Sequence, residues 1–148
     1  MNKAQLTLLS LVLLIITSCC PKRECRSAQD TNEIQFYNFT LEEIDSLIFK
    51  SYAPNSSTPT SVDSTNYRLS DAGNNSVIVY LNQAIDINLK WDIVVKSIHK
   101  TYTLSDFVTA PVVCNKCWFG SHSDQVMQVQ SYQVNGQTET DQVISIYR

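Results

Sequence analysis

The chain has 148 residues, with 11 basic and 14 acidic side chains and a net charge of −3. It shows neither a basic excess nor a basic stripe, so it lacks the electrostatic footprint of nucleic-acid binding and has no attraction to an anionic membrane surface. With only three glycines, Gly-rich phosphate cradles are excluded as well.

The N-terminus reads as a targeting segment. Met1-Asn2-Lys3 is a short positive start, and Leu6 to Ile16 is a nearly unbroken apolar run of 11 residues that ends at Thr17-Ser18-Cys19. A charged start, an apolar stretch and small residues at the boundary define a secretory signal. A membrane-spanning helix needs about 20 apolar residues, so this run is too short for a permanent span. Ile16-Thr17-Ser18-Cys19 resembles the lipobox of bacterial lipoproteins. The resemblance implies signal peptidase II cleavage before Cys19, diacylglycerol on the Cys19 thiol and further acylation of the new amino group. Each buried methylene contributes about 0.8 kcal/mol; one acyl chain anchors marginally, and two or three anchor stably. Removing the signal peptide, residues 1–18, leaves 130 residues with ten basic against fourteen acidic groups, a length that suits one domain.

Residues 19–33 read as a flexible tether, because Cys20-Pro21-Lys22-Arg23-Glu24-Cys25-Arg26 and the residues after Arg26 are polar, charged and aperiodic. A single β-rich domain is expected over residues 34–148. Ile34 to Phe39 alternates as a first strand. Thr40-Leu41-Glu42-Glu43 matches a capping box, but the strand-like residues Leu47 to Tyr52 limit it to one helical turn. Pro54 to Asn66 holds turn-formers without an apolar period and reads as a loop. Ser76 to Leu81, after Gly73-Asn74-Asn75, is a buried strand, and Trp91 to Ile98 is another. A hairpin across His99-Lys100 then leads into Thr101 to Phe107, although that dipeptide is not a favoured two-residue turn. Asn135-Gly136 between Ser131–Val134 and Gln137–Thr140 is a strong hairpin signal, since both turn positions require positive φ. Gln142 to Tyr147 closes the chain as a strand. Short strands with turn signals, rich in Val, Ile, Thr and Tyr, predict an all-β antiparallel β-sandwich, immunoglobulin-like in broad shape, with a small β-barrel as the alternative.

The densest chemistry is Cys114-Asn115-Lys116-Cys117-Trp118-Phe119-Gly120-Ser121-His122. An exported compartment permits a structural disulfide, and a tight Cys114–Cys117 loop is expected, with pairing of either cysteine to Cys20 or Cys25 as the alternative. A metal site on Cys114, Cys117 and His122 needs a fourth ligand. His99 and Asp124 are the candidates, and nothing in the sequence brings them together. A redox dithiol needs a helix N-terminus to lower its thiol pKa, and no strand–helix unit is next to it in the chain. No cofactor is expected. Trp118 and Phe119 form a candidate binding patch on the stapled loop, or else pack into the core. Glu42, Glu43 and Asp45 read as a solvated turn rather than an acid–base pair. With no nucleophile elbow, phosphate loop or zincin motif, no enzyme is expected. Asp63-Ser64-Thr65 resembles the short Asp-Ser/Thr motif O-glycosylated in Bacteroidetes.

Ser18-Cys19-Cys20-Pro21, the strand-rich body and the Cys114-to-Cys117 loop together resemble the small lipoproteins of Bacteroidetes. That resemblance implies a cell-envelope protein held by covalent lipid, facing the periplasm from the outer membrane. Surface-displayed lipoproteins of that group often carry an acidic run after the lipidated cysteine, whereas here Lys22-Arg23-Glu24 is mixed. The expected function is a non-catalytic binding or structural module whose partner is an envelope protein or a glycan. An inhibitor or immunity-type protein acting on a secreted enzyme, and a thiol or metal protein using Cys114 and Cys117, are the alternatives.

Overall fold

The computed structural model describes residues 25–63, 67–114 and 125–148. The chain divides into two compact units. The larger, Arg26–Ala110 with Met127–Arg148, carries the sandwich. The smaller, Met1–Cys25 with Pro111–Val126, contributes among the described residues Cys25 and the adjoining ends of two long strands.

Among the described residues ten strands form two sheets. They are β1 (Glu33–Tyr37), β2 (Leu47–Tyr52), β3 (Pro59–Asp63), β4 (Tyr67–Gly73), β5 (Ser76–Leu81), β6 (Lys90–Val95), β7 (Lys100–Val113), β8 (Gln125–Val134), β9 (Gln137–Glu139) and β10 (Ile144–Tyr147). One sheet runs β10-β1-β5-β4 and the other β3-β2-β6-β7-β8-β9. Both sheets keep open edges, so the sandwich expected from the sequence forms and the barrel does not.

The alternation of side chains builds the core. Ile34 and Phe36 on β1, Leu47 and Phe49 on β2, Val77 and Val79 on β5, Ile93 and Val95 on β6, and Ile144 and Ile146 on β10 are all buried. Every second residue of a strand reaches the same face, and each such side chain contributes roughly 1.5–3 kcal/mol on burial. Phe36 meets Phe39 edge to face at 5.3 Å.

Several local expectations hold. Leu47–Tyr52 is β2 as read, and Thr40 to Glu43 makes a single turn in which the Glu43 carboxylate accepts from the Thr40 N–H at 3.1 Å. Asn135 and Gly136 adopt φ 53° and 81° between paired Val134 and Gln137, the two-residue turn that Asn-Gly favours.

Other details differ for physical reasons. The flexible segment was expected to reach residue 33, but Ala28 is 2% exposed and belongs to the core. Ser27 caps a 3-10 turn over Ala28–Asp30, and Arg26 pairs with Glu33 at 2.5 Å. A single small apolar residue carries no period, so the sequence pattern missed it. Within the stretch read as a loop, β3 forms as an edge strand. Its residues face solvent on both sides, which erases the alternation that marks a strand, and Pro59 at its start is tolerated because an edge leaves N–H positions unpaired. The β6–β7 connection is not His99-Lys100. Val95 pairs with Lys100, and a 3-10 turn over Lys96–Ile98 with His99 at φ 53° makes the link. The sandwich is also not wholly antiparallel. β10 lies parallel to β1, with Ile34 opposite Ile144 and Phe36 opposite Ile146. No helical crossover is needed, because most of the domain lies between the two strands.

Tyr132 ties β8 to the β10 segment. It is 1% exposed, its hydroxyl donates to the Val143 carbonyl at 3.1 Å, and it accepts from the Ser145 N–H at 2.7 Å. Burial pushes its pKa up to about 12, with Asp141 and Glu139 acting in the same direction and the Ser145 bond opposing. The raised value means that the neutral phenol is the stable folded form. Its contribution is therefore complete below the unfolded value near pH 10 and is lost as pH rises towards about 12, a total of about 2–3 kcal/mol. Equilibrium urea unfolding from pH 8 to 12 should show that decline. Tyr132→Phe should remove it and lower stability by about 1–3 kcal/mol at neutral pH.

Candidate functional site

The residues singled out from the sequence fare unequally. Cys19, Cys117, Trp118, Phe119, His122, Asp124 and Ser64 lie outside the described residues. Cys114 lies inside them, and it is bonded to Cys25 with a Cα–Cα distance of 5.6 Å. The expected Cys114–Cys117 loop is thereby corrected, since a sulfur in one disulfide cannot form a second. Cys114 is 6% exposed and Cys25 partly exposed. A disulfide sulfur is not a thiolate and does not ligate metal, which removes Cys114 from the metal and dithiol readings. Among the described residues no group of three or more His, Cys, Asp or Glu could hold a metal ion. Sequence spacing misled here because two cysteines close in sequence look paired, whereas the partner of Cys114 lies 89 residues away.

A second feature carries no motif in the sequence. A cleft of about 200 Å³ opens beside Trp91, with Phe49 and Leu81 in its lining and Ser61, Val62 and Asp63 of β3 along one side. β2 and β6 bring Phe49 and Trp91 to the same inner face, through the pairs Phe49–Ile93 and Ser51–Trp91. The indole is fixed in place, as its N–H donates to the Asp86 carbonyl at 2.9 Å. The Asp86 carboxylate holds the same turn by accepting from the Asn88 backbone N–H, also at 2.9 Å. Tyr67 packs edge-on against Phe49 at 5.8 Å, and its hydroxyl bridges the Leu47 N–H and the Asp45 carbonyl.

The cleft is preformed, largely apolar and bordered by a few polar groups, which are the attributes of a binding site. The Ser61 hydroxyl lies 2.7 Å from the Ser51 hydroxyl, and a hydroxyl partner does not activate a serine for attack. Val62 at the rim is 59% exposed. A signal was present in the sequence: Trp91, Ile93 and Val95 share one face at period two, which puts the tryptophan at the end of the inner row. What the pattern lacked was β3, which supplies the opposite wall.

Comparison with known proteins finds no matching family model, no matching curated protein and no matching solved structure.

The Cys25–Cys114 bond encloses β1 through β7 in a covalent loop. Closing a loop of this length removes unfolded-state entropy worth about 4–5 kcal/mol in the chain-entropy model, and loss of a native disulfide typically costs about 2–5 kcal/mol. Cys25→Ser should lower unfolding stability by that amount in urea titration. A non-reducing peptide map should join the Cys25 and Cys114 peptides, and a Cys114–Cys117 peptide in its place would refute the pairing.

Proposed function

We propose that this protein is an exported lipoprotein, held to a membrane by acyl chains on Cys19, that serves the cell envelope as a non-catalytic binding or structural module. The observation that carries this reading is the Cys25–Cys114 disulfide. Such bonds persist in oxidising compartments and are rare in a reducing cytosol. It supports export independently of the leader and lipobox residues, which are a separate line of argument. Among the described residues no helix is long and apolar enough to cross a membrane, and covalent lipid gives retention without one.

In this reading Cys25 stands six positions after Cys19, so the anchor is joined to the domain by a short segment. The partner is an envelope protein or a glycan, and the cleft beside Trp91 is the place where a partner side chain or ring would insert. The side chains support binding better than turnover: the Ser61 hydroxyl is hydrogen-bonded to that of Ser51, and the cysteine at 114 is oxidised.

The direct test is the intact mass of protein extracted from membranes with detergent. The expected species begins at Cys19 and carries diacylglycerol with or without a further acyl chain, and Cys19→Ala should shift the protein to the soluble fraction. A chain beginning elsewhere, or one without acyl groups, refutes the anchoring. Turnover of an envelope substrate that a single side-chain change abolishes refutes the non-catalytic role.

A further inference from the structure

Cys25 lies six positions after Cys19. Six residues reach at most about 22 Å, whatever their conformation. The Cα atoms of Cys25 and Cys114 are 5.6 Å apart. Cys114 is therefore held within about 28 Å of residue 19, although 95 positions separate the two in the sequence. The disulfide thus brings the end of a distant strand to the point where the acyl chains attach.

The chemistry of that strand end is distinctive. Cys25 and Pro111–Cys114 belong to the same compact unit. From Phe107 to Cys114 the chain carries no charged side chain. Alternation puts Pro111 and Val113 on one face of β7, and both are exposed, Val113 at 38%. Val112 and Cys114 take the opposite face and are less exposed. A single apolar side chain in water needs no explanation. Here two share a face, without a charge among them, beside the covalent link to the anchor. With no basic group in the stretch and a net charge of −3, anionic headgroups offer it no attraction. Neutral headgroups are the ones it suits.

We propose that the Pro111–Cys114 end of β7 faces the membrane, with Pro111 and Val113 resting on neutral headgroups of the leaflet that holds the acyl chains of Cys19. The partner of this surface is the bilayer itself. The proposal rests on the lipoprotein reading above and adds a contact face to it. Two restraints act in series. The acyl chains hold residue 19 at the membrane, and the Cys25–Cys114 bond passes that restraint to Val113, the neighbour of Cys114. Apolar side chains held at that height gain burial at the boundary between headgroups and acyl chains, in proportion to the area covered. Without the bond, the covalent path from residue 19 to Val113 runs through the whole of β1 to β6.

The test uses the full-length acylated protein in phosphatidylcholine liposomes, with photoreactive benzoylphenylalanine in place of Val113. Illumination should attach lipid at position 113, read by mass spectrometry of the peptide that carries it. Inserting about 20 Gly and Ser residues between Arg23 and Glu24 lengthens the covalent path while keeping the acyl chains and the disulfide, which a non-reducing peptide map verifies. That insertion should lower the lipid adduct at least fivefold. Acylated, liposome-bound protein that gains no lipid at position 113 overturns this surface and leaves the anchor standing. A yield that the insertion does not change also overturns it, since the contact then owes nothing to the short path through the disulfide. Protein whose Cys19 carries no acyl group overturns the anchor, and this surface with it.

Discussion

Tyr132 reaches from β8 to the start of β10, and its phenol satisfies one carbonyl and one amide on a strand that is otherwise a sheet edge. Much of the larger unit depends on that contact. β10 is four residues long, too short to hold its place by ladder bonds alone, and it joins β1 in the parallel mode, which is slightly less stable per residue than the antiparallel one. Fixing its amide to a buried side chain keeps Ile144 and Ile146 in the core and sets Ser145 and Tyr147 on the other face. The same register brings Tyr147 against Tyr37, so their stacked rings are a consequence of how the last strand is held.

The disulfide works on a different scale. It leaves strand pairing alone and restricts the unfolded chain, linking residue 25 to residue 114 around seven described strands. A domain of this size gains only a modest surplus from burial over conformational entropy, so removing several kcal/mol of unfolded-state freedom matters. It also ties stability to redox environment: the protein is suited to a compartment in which cysteines stay oxidised. The proposed export is therefore supported by a disulfide as well as by the leader expected from the sequence.

Edges explain where recognition can occur. A two-sheet sandwich has four edge strands, here β3, β4, β9 and β10 among the described residues. β3 begins with a proline and pairs with β2 across a register shift at Ser51 and Tyr52, devices that discourage another strand from adding on. Beside the protected edge β3, the partly exposed Trp91 sits at the end of an apolar row, its indole N–H bonded to the Asp86 carbonyl.

The sequence by itself determined the features that depend on neighbours in the chain. The all-β class followed from period-two alternation in β1, β2, β5 and β6, and the tight turn at Asn135-Gly136 from the rarity of residues that accept positive φ. The absence of a nucleic-acid footprint followed from charge. The reading of Cys19 also rests on a local pattern of four residues. Tertiary structure alone decided what depends on residues far apart: the partner of Cys114, the parallel pairing of β10 with β1, the inclusion of Ala28 in the core, and the wall that β3 gives to the Trp91 cleft. Periodicity reports which face of a segment is apolar, but not which distant segment will cover it. Tyr102 shows the limit clearly. Its place in the strand read over Thr101 to Phe107 was legible, whereas its packing against Phe39, with 6.0 Å between ring centroids, depends on a distant part of the chain.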